Sequence, residues 1–312
     1  MLPFRSLMFV LAVMLAASSL HAQQYVFRSV DVPGAASTLP ECNNNLGQIV
    51  GNFYAGGFNS NTQNFLLSQG VFKPVPGYPG GAATGLIGVN PSGGKYVGWW
   101  QDTSGNEHGF YLSGGKYTSF DYPGAVSTEA IDINDAGTIV GLYSDGTDYH
   151  GYKLQSGKFT NIDPPGAVGS FAETINSSGQ VVGMYSLTSG QLSSGVQGYL
   201  LTSGSYATIN YPGAAQTSAI GLNSSGQIVG WYLDSSGVYH AFADLGGTFS
   251  TVDYPGAVQS QGLEINDQEQ ILAVWYGPAP DFYDEHGYIA NPIPGTSVRD
   301  GNGARGKNLR PR

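Results

Sequence analysis

Residues 117–157 read YTSFDYPGAVSTEAIDINDAGTIVGLYSDGTDYHGYKLQSG, and this stretch decides the fold. Tyr117–Tyr122 is an aromatic-rich strand, and Pro123-Gly124-Ala125 turns the chain. Thr128–Asn134 is a second strand, Asn134-Asp135-Ala136-Gly137 a tight turn, and Thr138–Tyr143 a third strand. Ser144–Asp148 turns again before the strand His150–Leu154, and Ser156-Gly157 leads onward. Short runs rich in aromatic and β-branched residues, punctuated by Gly, Asn and Asp, are the signature of antiparallel strands joined by hairpins.

The same grammar returns around Pro33-Gly34, Pro79-Gly80, Pro123-Gly124, Pro165-Gly166, Pro212-Gly213 and Pro255-Gly256, spaced 42 to 47 residues apart. Four strands per copy at this period are the content of a propeller blade. The Asn-x-x-Gly loops, the loops before the His strands and the Ser-Gly loops are short and belong inside a blade. The Pro-Gly segment is longer and carries the chain between blades, so each blade starts near the Thr or Ser after Pro-Gly. This frame orphans Tyr25–Asp31 at one end and leaves the last copy, through Ile289, without its outer strand. Closure resolves both. The expected fold is all-β, a six-bladed β-propeller of four-stranded antiparallel blades, closed by the N-terminal strand so that no edge is left open. An open β-solenoid is the rival architecture.

Composition agrees. The 312 residues include 47 Gly and 20 Tyr, and only 11% are charged. Met1–Ala22 has the form of a secretory signal: Arg5, the apolar run Leu7–Ala17, and small residues before a cut after Ala22. That run is short for a membrane span, and no other segment is suited to one. The expected division is a signal peptide at 1–22, the propeller at 23–295 and a disordered basic tail at 296–312, carrying Arg299, Arg305, Lys307, Arg310 and Arg312. The expected location is secreted or cell surface. The net charge of −10, more negative still without the tail, makes nucleic acid an unsuitable partner. Cys42 is the single cysteine, so no intrachain disulfide forms, and it reads as a small buried residue.

The pattern Ile-Asn-x-x-Gly-Gln-Ile-Val-Gly followed by His-(Ala/Gly)-Phe resembles the HAF family of probable extracellular repeats. His240-Ala241-Phe242 is the namesake triplet, with near matches at His108-Gly109-Phe110, His150-Gly151-Tyr152 and His286-Gly287-Tyr288. Gln63-Asn64-Phe65 and Gln197-Gly198-Tyr199 depart at the first position. The resemblance implies an exported repeat protein and carries no activity with it.

Chemistry is hard to find. His108, His150, His240 and His286 share one repeat position, which suits a structural role, and blade-equivalent positions lie too far apart to share one metal ion. There is no Gly-x-Ser-x-Gly and no His-Glu-x-x-His. The Asp-rich turns at 102–105, 145–148 and 234–237 lack calcium-loop spacing. Asn176-Ser177-Ser178 and Asn223-Ser224-Ser225 match a glycosylation acceptor, yet both are the repeat's own turn. Nothing calls for a cofactor or metal.

Two sets of residues remain. Glu41, Asp132, Glu173 and Glu264 fall on the innermost strands and break the repeat symmetry; a pair across a narrow channel could do acid–base work, or simply be solvated. Thr38, Thr84, Thr128, Ser170, Thr217 and Ser260 place a hydroxyl at a fixed distance after each Pro-Gly. They either satisfy the crossover backbone or form a polar rim for a ligand. With Asp132 and Glu264 they are the candidate binding residues, and Trp99, Trp100, Trp231 and Trp275 are candidate stacking surfaces for sugars or partly buried side chains. Three function classes follow: a non-enzymatic extracellular binding module for a glycan or protein, a structural surface or matrix protein, and a polysaccharide hydrolase or lyase using channel carboxylates. The absence of an asymmetric triad favours the first two. The face bearing the crossovers, the loops before the His strands and the long Ser186–Val196 insertion is the expected place for contact.

Overall fold

A computed structural model describes residues 23–56, 62–188, 195–278 and 284–294. The signal segment and the basic tail lie outside these residues, as does most of the Ser186–Val196 insertion. No helix among the described residues is long and apolar enough to cross a membrane.

Among the described residues, twenty-four strands form six four-stranded antiparallel sheets in a ring. The innermost strands are β2 (Ser37–Asn43), β6 (Ala83–Val89), β10 (Ser127–Ile133), β14 (Gly169–Ile175), β18 (Gln216–Leu222) and β22 (Gln259–Ile265). They touch one another in sequence, and β22 returns to β2. Outward follow β3 (Ile49–Tyr54), β7 (Lys95–Gln101), β11 (Ile139–Ser144), β15 (Val181–Ser186), β19 (Ile228–Leu233) and β23 (Ile271–Tyr276). The third positions are β4 (Gln63–Ser68), β8 (Glu107–Ser113), β12 (Tyr149–Gln155), β16 (Gln197–Thr202), β20 (Tyr239–Asp244) and β24 (Glu285–Pro292). Outermost are β5 (Val71–Val75), β9 (Lys116–Phe120), β13 (Lys158–Ile162), β17 (Ser205–Ile209), β21 (Phe249–Thr251) and β1 (Tyr25–Ser29). Blades 1 to 6 are numbered from β2 onward.

The six-bladed frame and its closure are as the sequence predicts. The N-terminal β1 pairs with β24, from Tyr25 opposite Pro292 to Ser29 opposite Tyr288, and completes blade 6. Phe27 packs edge-on against Tyr254 at 6.0 Å and lies 5.8 Å from Tyr288.

Each inner strand carries a bulge, between Pro40 and Cys42 and at five equivalent positions. The bulge brings two successive side chains to the axis and explains a glycine of the repeat. A Cβ on Gly98 would sit 2.0 Å from the Gly85 carbonyl oxygen, and one on Gly230 would sit 1.9 Å from that of Ser218. No side chain fits at these two positions, so the glycine there is a packing requirement; blade 6 instead carries Ala273, opposite Gly262. The aromatic of each His-x-aromatic triplet is the keystone between blades: Phe65, Phe110, Tyr152, Tyr199, Phe242 and Tyr288 are all fully buried. Tyr152 and Tyr199 donate their hydroxyls to the Glu129 and Phe171 carbonyls, so burial leaves no orphan polar group.

Candidate functional site

On the crossover face, five of the six predicted hydroxyls accept a backbone N–H from six residues earlier. Thr38 takes Val32, Thr84 takes Tyr78, Thr128 takes Tyr122, Thr217 takes Tyr211 and Ser260 takes Tyr254, at 2.9–3.2 Å. In blade 4 the equivalent position is Pro164, which has no N–H. Ser170 turns instead to the Gly151 N–H, the Ile162 carbonyl and Asp163. All six hydroxyl residues are buried. Of the two readings, these hydroxyls satisfy the crossover backbone, where a buried N–H left unpaired is costly.

The repeated His has the same character. Nδ1 of His108, His150 and His240 lies 2.8, 3.3 and 2.6 Å from Asp121, Asp163 and Asp253. Nε2 faces Asp102, Asp145 and Asp234 at 3.4–3.7 Å. Each ring is thus held between the Asp before Pro-Gly and the Asp of the preceding loop, and His286 meets Asp31 at 3.5 Å. Burial lowers the His240 pKa, but the Asp253 and Asp234 carboxylates outweigh it and raise it on balance. Trp100, Tyr143, Tyr232 and Trp275 are sandwiched between a Tyr before Pro-Gly and this His: Tyr78, Trp100 and His108 stack at 4.0 and 4.7 Å, and Tyr254, Trp275 and His286 at 4.8 and 4.7 Å. Trp100 and Trp275 are part of the blade rather than free platforms. Trp99 lies over Gly85, where a Cβ would come within 2.3 Å of its Nε1. Trp231 meets Tyr239 edge-on at 5.1 Å.

Two grooves open between successive crossovers on this face. One, of about 460 Å³, runs from Gln63 and Asn64 to Tyr78 and Thr84. Its neighbour, of about 470 Å³, runs from Glu107, His108 and Asp121 to Thr128. Thr84 and Thr128 thus line the grooves even though the Tyr78 and Tyr122 N–H groups occupy their hydroxyls.

The bulges gather the symmetry-breaking acids at the axis. Glu41, Asp132, Glu173 and Glu264 line one chamber of about 180 Å³ with Cys42, Thr174 and the apolar Ile87, Ile131, Ile220 and Leu263. Asp132 and Glu264 also reach a smaller cavity of about 40 Å³ toward the Asn-x-x-Gly turns. Burial raises every one of these carboxyls: Glu41 to about 8, with Glu285, Glu173 and Glu129 adding to it, and Glu173 to about 7. Asp132 rises to about 6, and Glu264 goes well up from burial and from facing Asp132. Glu129, which the sequence reading passed over, rises to about 7 from burial and from Glu107. Cys42 is free and buried, and its thiol is pushed up by the same surroundings.

The opposite face holds a second feature that the sequence reading missed. Asn44, Asn134, Asn176, Asn223 and Asn266 each donate Nδ2 to a backbone carbonyl of the next blade's turn, along the links 44→90, 134→176, 176→223, 223→266 and 266→44, at 3.1–3.3 Å. Asn90 reaches Asp135 instead. Five backbone links and one side-chain link make a closed belt. Asn176 and Asn223, the formal glycosylation acceptors, are buried in it.

No protein-family model and no curated protein sequence matches the chain. Solved structures share its fold. A prolyl endopeptidase superposes with TM-score 0.50 at 13% identity over 79% of this chain, which spans 39% of that protein. TolB from Acinetobacter baumannii gives 0.51 at 11% over 80% of this chain and 65% of its own. The SapL1 lectin in complex with α-methyl fucoside gives 0.51 at 10% over 86% of this chain and 98% of its own.

Proposed function

We propose that this chain is an exported, non-enzymatic binding module of the HAF-repeat type that takes a carbohydrate in the grooves between blades on its crossover face. The observation that carries the reading is the pair of equivalent grooves, about 460 and 470 Å³, at successive blade junctions. Each has the size of a small-ligand site and sets polar side chains beside aromatic and proline surface, the combination that a sugar ring requires. The likeness to a propeller lectin solved with α-methyl fucoside supports a glycan as the ligand class. A hydrolase reading gains less support. Asp132 and Glu264 are buried in the wall of a chamber of only about 180 Å³, small for a polysaccharide chain.

The test is a glycan array with the full mature chain, followed by the exposed groove variants Gln63→Ala and Asp121→Ala. Specific hits weakened about tenfold by either variant, equivalent to about 1.4 kcal/mol, support the proposal. A ligand footprint confined to the Asn-x-x-Gly face, or silence across the array, overturns it.

A further inference from the structure

We propose that the axial channel is a proton-held latch: protons kept on the buried carboxyls of Asp132 and Glu264 preserve the hydrogen bonds that tie three blades together, and their release to solvent loosens the ring. The argument begins with charge. Glu41 and Cys42 from β2, Asp132 from β10, and Glu173 and Thr174 from β14 face Glu264 around the chamber, with Glu129 and Glu285 acting from its margins. β6 and β18 contribute only Ile87 and Ile220. No Lys, Arg or His lines either cavity. Several carboxyls in an apolar chamber with no cation cannot all ionise without a large desolvation cost.

The hydrogen bonds show what the pair holds. Thr174 Oγ1 donates to Glu264 Oε2 at 3.0 Å, joining blade 4 to blade 6 across the axis. The Ile175 N–H donates to Asp132 Oδ2 at 2.9 Å, joining blade 4 to blade 3, and Glu264 Oε1 accepts its neighbour Ile265 N–H. These contacts occupy both oxygens of Glu264 and Oδ2 of Asp132, on blades 6 and 3, which stand opposite in the ring. While the acids are protonated the bridges are undisturbed. Once both ionise, two buried carboxylates in one chamber repel.

The direction of the pH effect follows. The folded chain holds protons that the unfolded chain releases at ordinary carboxyl pKa values of 3.8 and 4.5. This contribution is complete in acid and falls away as pH rises, through about 6 for Asp132 and about 8 for Glu41. Glu41 and Glu173 keep some exposure, which reduces the size of their contribution.

Thermal unfolding of the full chain across pH tests this. The wild-type midpoint should fall by on the order of 10 °C between about pH 5 and pH 8.5. Glu264→Gln keeps an acceptor for Thr174 and cannot ionise, so it should remove about half of that fall. Thr174→Val should lower the midpoint at every pH and keep the slope. Asp132→Asn serves if Glu264→Gln does not fold, read by the same slope and by hydrogen exchange at Ile175. Parallel profiles for wild type and both carboxamide variants overturn the latch. So does recovery of the alkaline midpoint by millimolar calcium or magnesium, which would put a metal ion rather than protons in the chamber.

Discussion

Ring closure is open to a graded test. Phe27 and Val30 anchor the N-terminal strand: Phe27 against Tyr254 and Tyr288, and Val30 buried beside Leu272, with its N–H on the Gly287 carbonyl. Truncating either to Ala keeps the strand's backbone pairing and removes only packing. Phe27 is half-buried, so its loss costs about 2 kcal/mol, and the fully buried Val30 costs about as much again. The double variant should therefore lose about 4 kcal/mol and shift the midpoint down by roughly 10 °C. Val26, 50% exposed on the same strand, should tolerate Ala with no measurable change. Deleting 25–31 should cost more than the double variant, because it also unpairs β24 along five residue pairs and uncovers Tyr288, while deleting 297–312 should cost nothing. Differential scanning calorimetry on the wild type and these six variants reads all of this. Equal midpoints for the two deletions, or for Phe27→Ala/Val30→Ala and Val26→Ala, would refute closure as the source of stability.

Other outcomes follow from named contacts. Asn176→Ala removes bonds to the Ser178 and Gln180 N–H groups and the link to Asn223, and should cost about 2–4 kcal/mol in denaturant unfolding. Asn176→Asp, which keeps the turn acceptor and loses the donor, should cost less than the alanine and more than nothing. Thr128→Val orphans the buried Tyr122 N–H and should lower stability by about 1–3 kcal/mol, whereas the same change at Ser170 breaks three bonds and should be worse. His240→Gln should be nearly neutral, since Gln197 fills that position in blade 4 and meets the Tyr185 hydroxyl at 3.0 Å. NMR titration of His240 should give a pKa above 6.5 that drops in Asp234→Asn; an unshifted value would remove the two-aspartate clamp.

Blade phase was legible because loop length separates hairpins from crossovers, and the orphan strand at 25–31 then had only one place to go. The bulges were not legible. A one-residue shift in a period-2 pattern exchanges the two faces, so alternation could not show that Glu41 and Asp132, at different repeat positions, would share a chamber. Glu129 escaped for the same reason. The hydroxyl positions were plain in the sequence, but their partner, an N–H six residues earlier, exists only once the crossover folds back. The asparagine belt was hidden behind a sufficient local explanation: Asn at the head of a tight turn accounts for itself through Oδ1, and nothing in one sequence reveals that Nδ2 reaches the next blade.

Symmetry then restricts where ligand chemistry can reside. The repeated polar positions are taken up by structure: five hydroxyls by crossover N–H groups, the histidines by aspartates, the turn asparagines by the belt. What remains free is what differs between blades. The belt draws the turn face together, and the cavity there holds about 40 Å³ against about 180 Å³ for the chamber that Asp132 and Glu264 also line. Among the described residues, the turn-side cavity has room for little more than a water or two, and the larger openings lie on the crossover face. That face is also where blade-specific side chains stand, with uncharged Gln63 in one groove and Glu107, beside the clamped His108–Asp121 pair, in the next. Adjacent grooves of one size and different charge should select differently among ligands of one class. The groove with Gln63 suits a neutral sugar, and the groove with Glu107 and Asp121 suits one carrying an amine, so a single array read with Gln63→Ala and Asp121→Ala should lose two distinct subsets of hits.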